Sequence, residues 1–232
     1  MERHLDAELQ TLNLNLMKMA ALTEEAIRKS MESLKKKDKA LAQSVIEEDK
    51  RIDDLENQIE EETIELLALF QPMARDLRFI TTGMRTNTEL ERIADLAVNI
   101  SQRAIDLADQ PLLKPLVDIP ELAENTERMV KGAIDAFVKR DEDIARQVIL
   151  SDKKSNELRT KIMHTLIYEY MMKDGTTAPR AVALLLVTRD LERISDHAVA
   201  IAEDVIYMIK AKVVKHHLDE LIYVYRKVSD HS

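Results

Sequence analysis

Cysteine and tryptophan are both missing from these 232 residues, glycine occurs three times and proline five times. Without cysteine there can be no disulfide, thiol nucleophile, iron–sulfur cluster or thiolate zinc site. Aromatic residues make up only 3% of the chain, so the core must be Leu, Ile, Val, Ala and Met, with the 11 Met filling gaps between helices. Three glycines and five prolines provide few of the reversals a sheet needs, and the abundant Leu, Ala, Glu and Lys are helix formers. Basic excess is lacking too: the formal net charge of −9 argues against a nucleic-acid partner. No uncharged apolar run approaches the ~18 residues that span a bilayer. The first residues, Met1-Glu2-Arg3-His4-Leu5-Asp6, lack the basic start and apolar stretch of a signal peptide. These absences predict a soluble, cytoplasmic protein that meets a membrane only through partner proteins.

What is present is said twice. Residues 90–100 read LERIADLAVNI and residues 191–201 read LERISDHAVAI, at a constant offset of 101. Upstream, residues 38–55 and 141–158 share Asp38/Asp141, Ala42/Ala145, Val45/Val148, Ile46/Ile149, Asp49/Asp152 and Leu55/Leu158 at an offset of 103. Two such phrases in the same order mark an internal duplication. One difference is telling: Asp53 answers to Asn156.

The apolar spacing assigns the elements. Leu5, Leu9, Leu12, Leu16 and Met19 step by four and three, predicting a first helix of roughly thirty residues. Asp38 can cap a second, with the stripe Val45, Ile52, Leu55, Ile59, Thr63, Leu66 and Phe70, ended by Pro72. A third runs from about Ala74 to Leu107 and is apolar on most sides. Pro111, Pro115 and Pro120 read as the connection between halves, helix four starts near Glu121 and helix five near Asp141. The stretch 174–179 breaks the chain before helix six. The fold class is therefore all-α: two repeated three-helix units, residues 1–110 and 118–215, forming a six-helix bundle, with a C-terminal tail over 216–232 that carries His216 and His217.

Each LER phrase sets a Glu and an Asp four apart on one helix face, Glu91 with Asp95 and Glu192 with Asp196. In helix two, Asp49 and Asp53 have the same spacing. Antiparallel packing of helices two and three brings the two pairs face to face, with Asn99 one turn further able to add a carbonyl oxygen. Four carboxylates cannot stay ionised together in a partly dry seam without a counter-charge. A hard cation supplies it, and the oxygen ligands suit Mg, Mn, Ca, Fe or Zn without choosing among them. The alternative is that the acids pair with Arg92, Arg193, Lys50 or Lys153, or line solvent. The second half offers Asp152, Glu192 and Asp196, with neutral Asn156 in the fourth place and Ala200 for Asn99. His197 points ~100° from Asp196 and reads as an interface or bundle histidine, with metal ligation as the alternative. There is no Glu-x-x-His of the di-iron bundles, no phosphate-cradling glycine loop and no Ser/His/Asp constellation, so catalysis is not indicated.

The doubled Leu-Glu-Arg-Ile-x-Asp, the Asp-Lys run before each copy and Arg75-Asp76-Leu77-Arg78 ahead of the first resemble the PhoU family, accessory proteins of the phosphate-specific transport system. The resemblance covers nearly the whole chain and implies two three-helix repeats and a cytoplasmic homodimer. It implies a non-enzymatic regulator that links the phosphate transporter's ATPase subunit to a membrane sensor histidine kinase and represses phosphate-starvation signalling. It further implies multinuclear metal clusters on Asp49, Asp53, Glu91 and Asp95, then on Asp152, Glu192 and Asp196, with Asn156 departing from the acidic pattern. Two readings from other classes stand beside it: a carboxylate-metal-dependent hydrolase, and a metal-free helical scaffold.

Overall fold

A computed structural model describes residues 2–113, 116 and 118–212. Six helices carry the fold: α1 (Glu2–Lys36), α2 (Lys39–Phe70), α3 (Ala74–Leu107), α4 (Asp118–Lys139), α5 (Glu142–His164) and α6 (Ala178–Lys210). Among the described residues there is no strand, and no helix is long and apolar enough to cross a membrane. The expected tail over 216–232, with His216 and His217, and Pro115 of the connection lie outside the described residues.

The duplication is visible in the turns. Each first helix ends on a residue in the left-handed region, Lys37 (φ 58°) and Arg140 (φ 53°). The following aspartate donates its backbone N–H to a carbonyl five residues back, Asp38 to Ser33 and Asp141 to Ala136, both at 3.0 Å. The Asp38 carboxylate then accepts from the Leu41 N–H, and that of Asp141 from Asp143 and Ile144. This helix-ending motif followed at once by an N-cap reverses the chain without glycine.

Helices α1, α2 and α3 pack on one another, as do α4, α5 and α6, and the repeats join mainly through α3 against α6. Ile52, Ile59, Leu90, Ile93, Ala97 and Ile100 of the first repeat and Val148, Leu158, Leu191, Ile194, Ala198 and Ile201 of the second are all buried in one continuous core. A threonine ties first helix to third in both repeats: Thr23 Oγ1 donates to the Leu90 carbonyl and Thr126 Oγ1 to that of Leu191, each at 3.4 Å. The second repeat adds a buried polar knot, in which Ser155 Oγ lies 2.9 Å from Asn125 Nδ2 and 3.1 Å from Ser195 Oγ. Leu22, Ile52 and Ala94 hold the corresponding first-repeat positions.

Two boundaries differ from expectation. Helix α4 starts at Asp118, not near Glu121, because Pro120 falls in its first turn, where no intrahelical N–H is needed. Helix α5 continues as a π-helical stretch over Thr165–Met171, closed by the Met172 N–H on the Ile167 carbonyl at 2.9 Å. Apolar periodicity does not register this wider winding.

Candidate metal centre

Helices α2 and α3 run antiparallel: Asn87 Nδ2 on α3 donates to the Glu56 carbonyl on α2 at 2.9 Å. That register sets Asp49 opposite Asp95 and Asp53 opposite Glu91, each pair close enough for its charges to interact. The four expected ligands of the first repeat therefore meet along one seam. Asp49 and Glu91 are half-buried, while Asp53 and Asp95 face solvent. A fifth acid, Glu56, joins them: it is half-buried, seven residues from Asp49 and thus two turns along the same face, and its charge bears on Glu91.

Burial and mutual repulsion push Asp49, Glu91 and Glu56 toward the neutral form. The Asp49 carboxyl is raised to about 6 by desolvation and by the charges of Asp53 and Asp95. Glu91 is raised to about 7 by desolvation, then by Asp95, Glu56 and Asp53, with Arg92 only partly offsetting them. Glu56 is raised in the same way. Among the described residues no ion pair reaches any of the five. Arg92, a candidate counter-charge, turns instead to Glu89 at 3.4 Å. Asn99 is half-buried one turn beyond Asp95. Its backbone carbonyl accepts from Arg103 at 3.1 Å, and among the described residues its side chain hydrogen-bonds to nothing.

The donor chemistry of this seam suits a hard cation: carboxylate oxygens from two facing helices, with no cation already engaged. Among the described residues no three of these groups yet converge as a preassembled site, so a bound ion would draw the side chains inward by rotation. The residues that would hold it are Asp49, Asp53, Glu91 and Asp95, with Glu56 beside them.

The second seam is built at the same places and resolved differently. Helices α5 and α6 bring Asp152, Asp196 and Glu192 together, with burial repeating that of Asp49, Asp95 and Glu91. Here Arg159 Nη1 donates to Glu192 Oε1 in an ion pair. Asn156 Nδ2 donates to Asp152 Oδ2 at 2.8 Å. Desolvation still raises Asp152 and Asp196, but Asn156 lowers the first, and His197 and Arg159 lower the second. The expected ligands Asp152, Asn156, Glu192 and Asp196 thus stand together with two of their donors already taken, and as they stand they do not fit a metal cluster. The basic residues considered from sequence are not the partners: Lys153 lies 3.9 Å from Glu157, and Arg159 was not among them.

His197 is an interface residue. Its Nδ1 lies 2.5 Å from Glu89 Oε2, joining α6 to α3, and Arg85 reaches Asp204 at 3.1 Å across the same interface.

The PhoU domain model matches the chain twice, over residues 16–104 and 119–205, one match per repeat. A phosphate-specific transport system accessory protein PhoU homolog of Aquifex aeolicus is 40% identical over 214 residues, covering 92% of this chain and 96% of that protein. The phosphate-specific transport system accessory protein PhoU of Escherichia coli is 32% identical over 221 residues, covering 94% and 91%. The crystal structure of PhoU from Pseudomonas aeruginosa superposes with a TM-score of 0.86 at 35% identity, covering 89% of this chain and 99% of that one.

Proposed function

Because this chain belongs to the PhoU family, we propose that it is a non-enzymatic accessory protein that regulates phosphate uptake and represses phosphate-starvation signalling. It works in the cytoplasm as a homodimer. It links the ATPase subunit of the phosphate transporter to a membrane sensor histidine kinase and reaches the membrane only through them. One observation carries this reading: both repeats match the PhoU domain, in a chain that aligns nearly end to end with relatives named as accessory proteins of phosphate transport. Deleting the gene tests it. Phosphate-starvation genes should be switched on in phosphate-replete medium, and repression as tight as in wild type would overturn the assignment. Co-purification of the transporter ATPase and the kinase with the tagged protein tests the bridging role.

The adaptor is also metal-binding in this reading, through Asp49, Asp53, Glu91 and Asp95. A hard cation such as Mn, Mg, Fe or Zn would neutralise the repulsion that holds Asp49 and Glu91 toward their protonated forms and would clamp α2 to α3. What supports this is the seam itself: five acids from two helices that repel one another, none of them ion-paired among the described residues, while Arg92 turns to Glu89.

A further inference from the structure

The two seams can be superposed residue for residue, since the offset is 103 on the second helix of each repeat and 101 on the third. Asp49 falls on Asp152, Asp53 on Asn156, Glu91 on Glu192 and Asp95 on Asp196. By the same offset Glu56 falls on Arg159. In the first repeat the pair Glu56 and Glu91 is two like charges, each half-buried. In the second, the pair at the same places is Arg159 on Glu192, an ion pair whose partners are 36% and 16% exposed. The Arg159 charge also acts on Asp196. Five carboxylates on one side thus correspond to three carboxylates, an amide and a guanidinium on the other.

A guanidinium at the Glu56 position supplies from the chain what a cation supplies from solution. It brings positive charge at the depth of the half-buried glutamate, fixed by its own helix and indifferent to metal supply. It also occupies the Glu192 oxygen that a metal would need. We propose that Arg159 is a resident counter-ion that replaces metal in the second repeat, so that this chain keeps one metal-responsive seam, in the first repeat, with Glu56 as part of it. The one-seam half of this rests on the metal reading of the first repeat. The counter-ion half does not.

Exchanging the two residues separates them. Thermal unfolding of the full chain is followed in EDTA and then with added MnCl2. Wild type should gain stability from Mn(II). Glu56→Arg should unfold several degrees higher than wild type in EDTA, because it gives the first seam the second seam's solution, and should gain little from Mn(II). Arg159→Glu should unfold roughly 3–6 °C lower in EDTA, the scale expected for a lost half-buried ion pair in a chain of this size, and should now be rescued by Mn(II) beyond wild type. Arg159→Gln keeps length and hydrogen bonding while removing charge, and makes the same comparison should the glutamate variant fail to fold. If wild type ignores Mn(II) while Glu56→Arg is still stabilised in EDTA, the metal reading fails and the counter-ion assignment stands. If wild type responds to Mn(II) but neither Glu56→Arg nor the Arg159 variants move in EDTA, the counter-ion assignment is wrong.

Discussion

The first and second repeats agree in their turns, their caps, the threonine bonds from Thr23 and Thr126 and the burial pattern along their seams. They part company in charge at two seam positions, 53/156 and 56/159, where acid becomes amide and acid becomes guanidinium. A scaffold can therefore be held fixed while the charge it displays is rewritten. Half-buried Asp49 and Glu91 pay for repulsion that the second repeat has removed by substitution. Such a cost persists where something relieves it, and that is the argument for a cation in the first repeat alone.

Breaking the shared scaffold should produce the largest effect and should not distinguish the halves. Ile93 and Ile194 are equivalent and fully buried. Truncating either to Ala should cost about 3 kcal/mol in denaturant titration. If the two losses differed by more than about 2 kcal/mol, the two positions would not be packed equivalently.

The polar knot sharpens the comparison at smaller scale. Ser195→Ala removes a group that is buried and 3.1 Å from Ser155, and it restores the residue found at Ala94. The loss should be about 1 kcal/mol, since Ser155 and Thr126 retain other partners, Asn125 and the Leu191 carbonyl. A neutral result would mean the knot contributes no net stability.

The seams should also differ in pH response. The carboxyls of Asp49 and Glu91 are raised in the fold to about 6 and about 7, from ordinary values of 3.8 and 4.5. Between those values the folded chain binds more protons than the unfolded one, so stability falls as pH rises across that window and levels off above it. In EDTA the protein should unfold at lower temperature at neutral pH than at mildly acidic pH. Glu91→Gln should flatten the slope more than Asp152→Asn, because the hydrogen bond from Asn156 offsets the rise of Asp152. Equal slopes in the two variants would contradict the asymmetry.

The part of this picture legible in the sequence is the part that periodicity writes. Leu12, Leu16 and Met19, or Ile52, Leu55 and Ile59, are buried as their spacing requires, and the offsets alone delimit the two repeats. The acidic pairs at four-residue spacing were also legible, because one turn of helix defines one face. Glu56 and Arg159 were missed because they lie two turns from Asp49 and Asp152, outside the Asp-x-x-x-Asp pattern. The signal was the spacing of seven, which returns to the same bearing, read across the 103-residue offset. The contact of His197 with Glu89 needs the antiparallel register of α3 on α6, which no pattern within either helix specifies. The same holds for the π-helical stretch after His164, where the winding itself departs from 3.6 residues per turn.

Whether metal belongs to the first seam is measured most directly by the metal content of the purified full chain after dialysis, by elemental analysis. Wild type should retain bound metal. Asp53→Asn and Glu91→Gln should lose most of it, while Asp152→Asn and Glu192→Gln should retain as much as wild type. Equal losses from both seams, or full metal retention in Asp53→Asn and Glu91→Gln, would contradict the account.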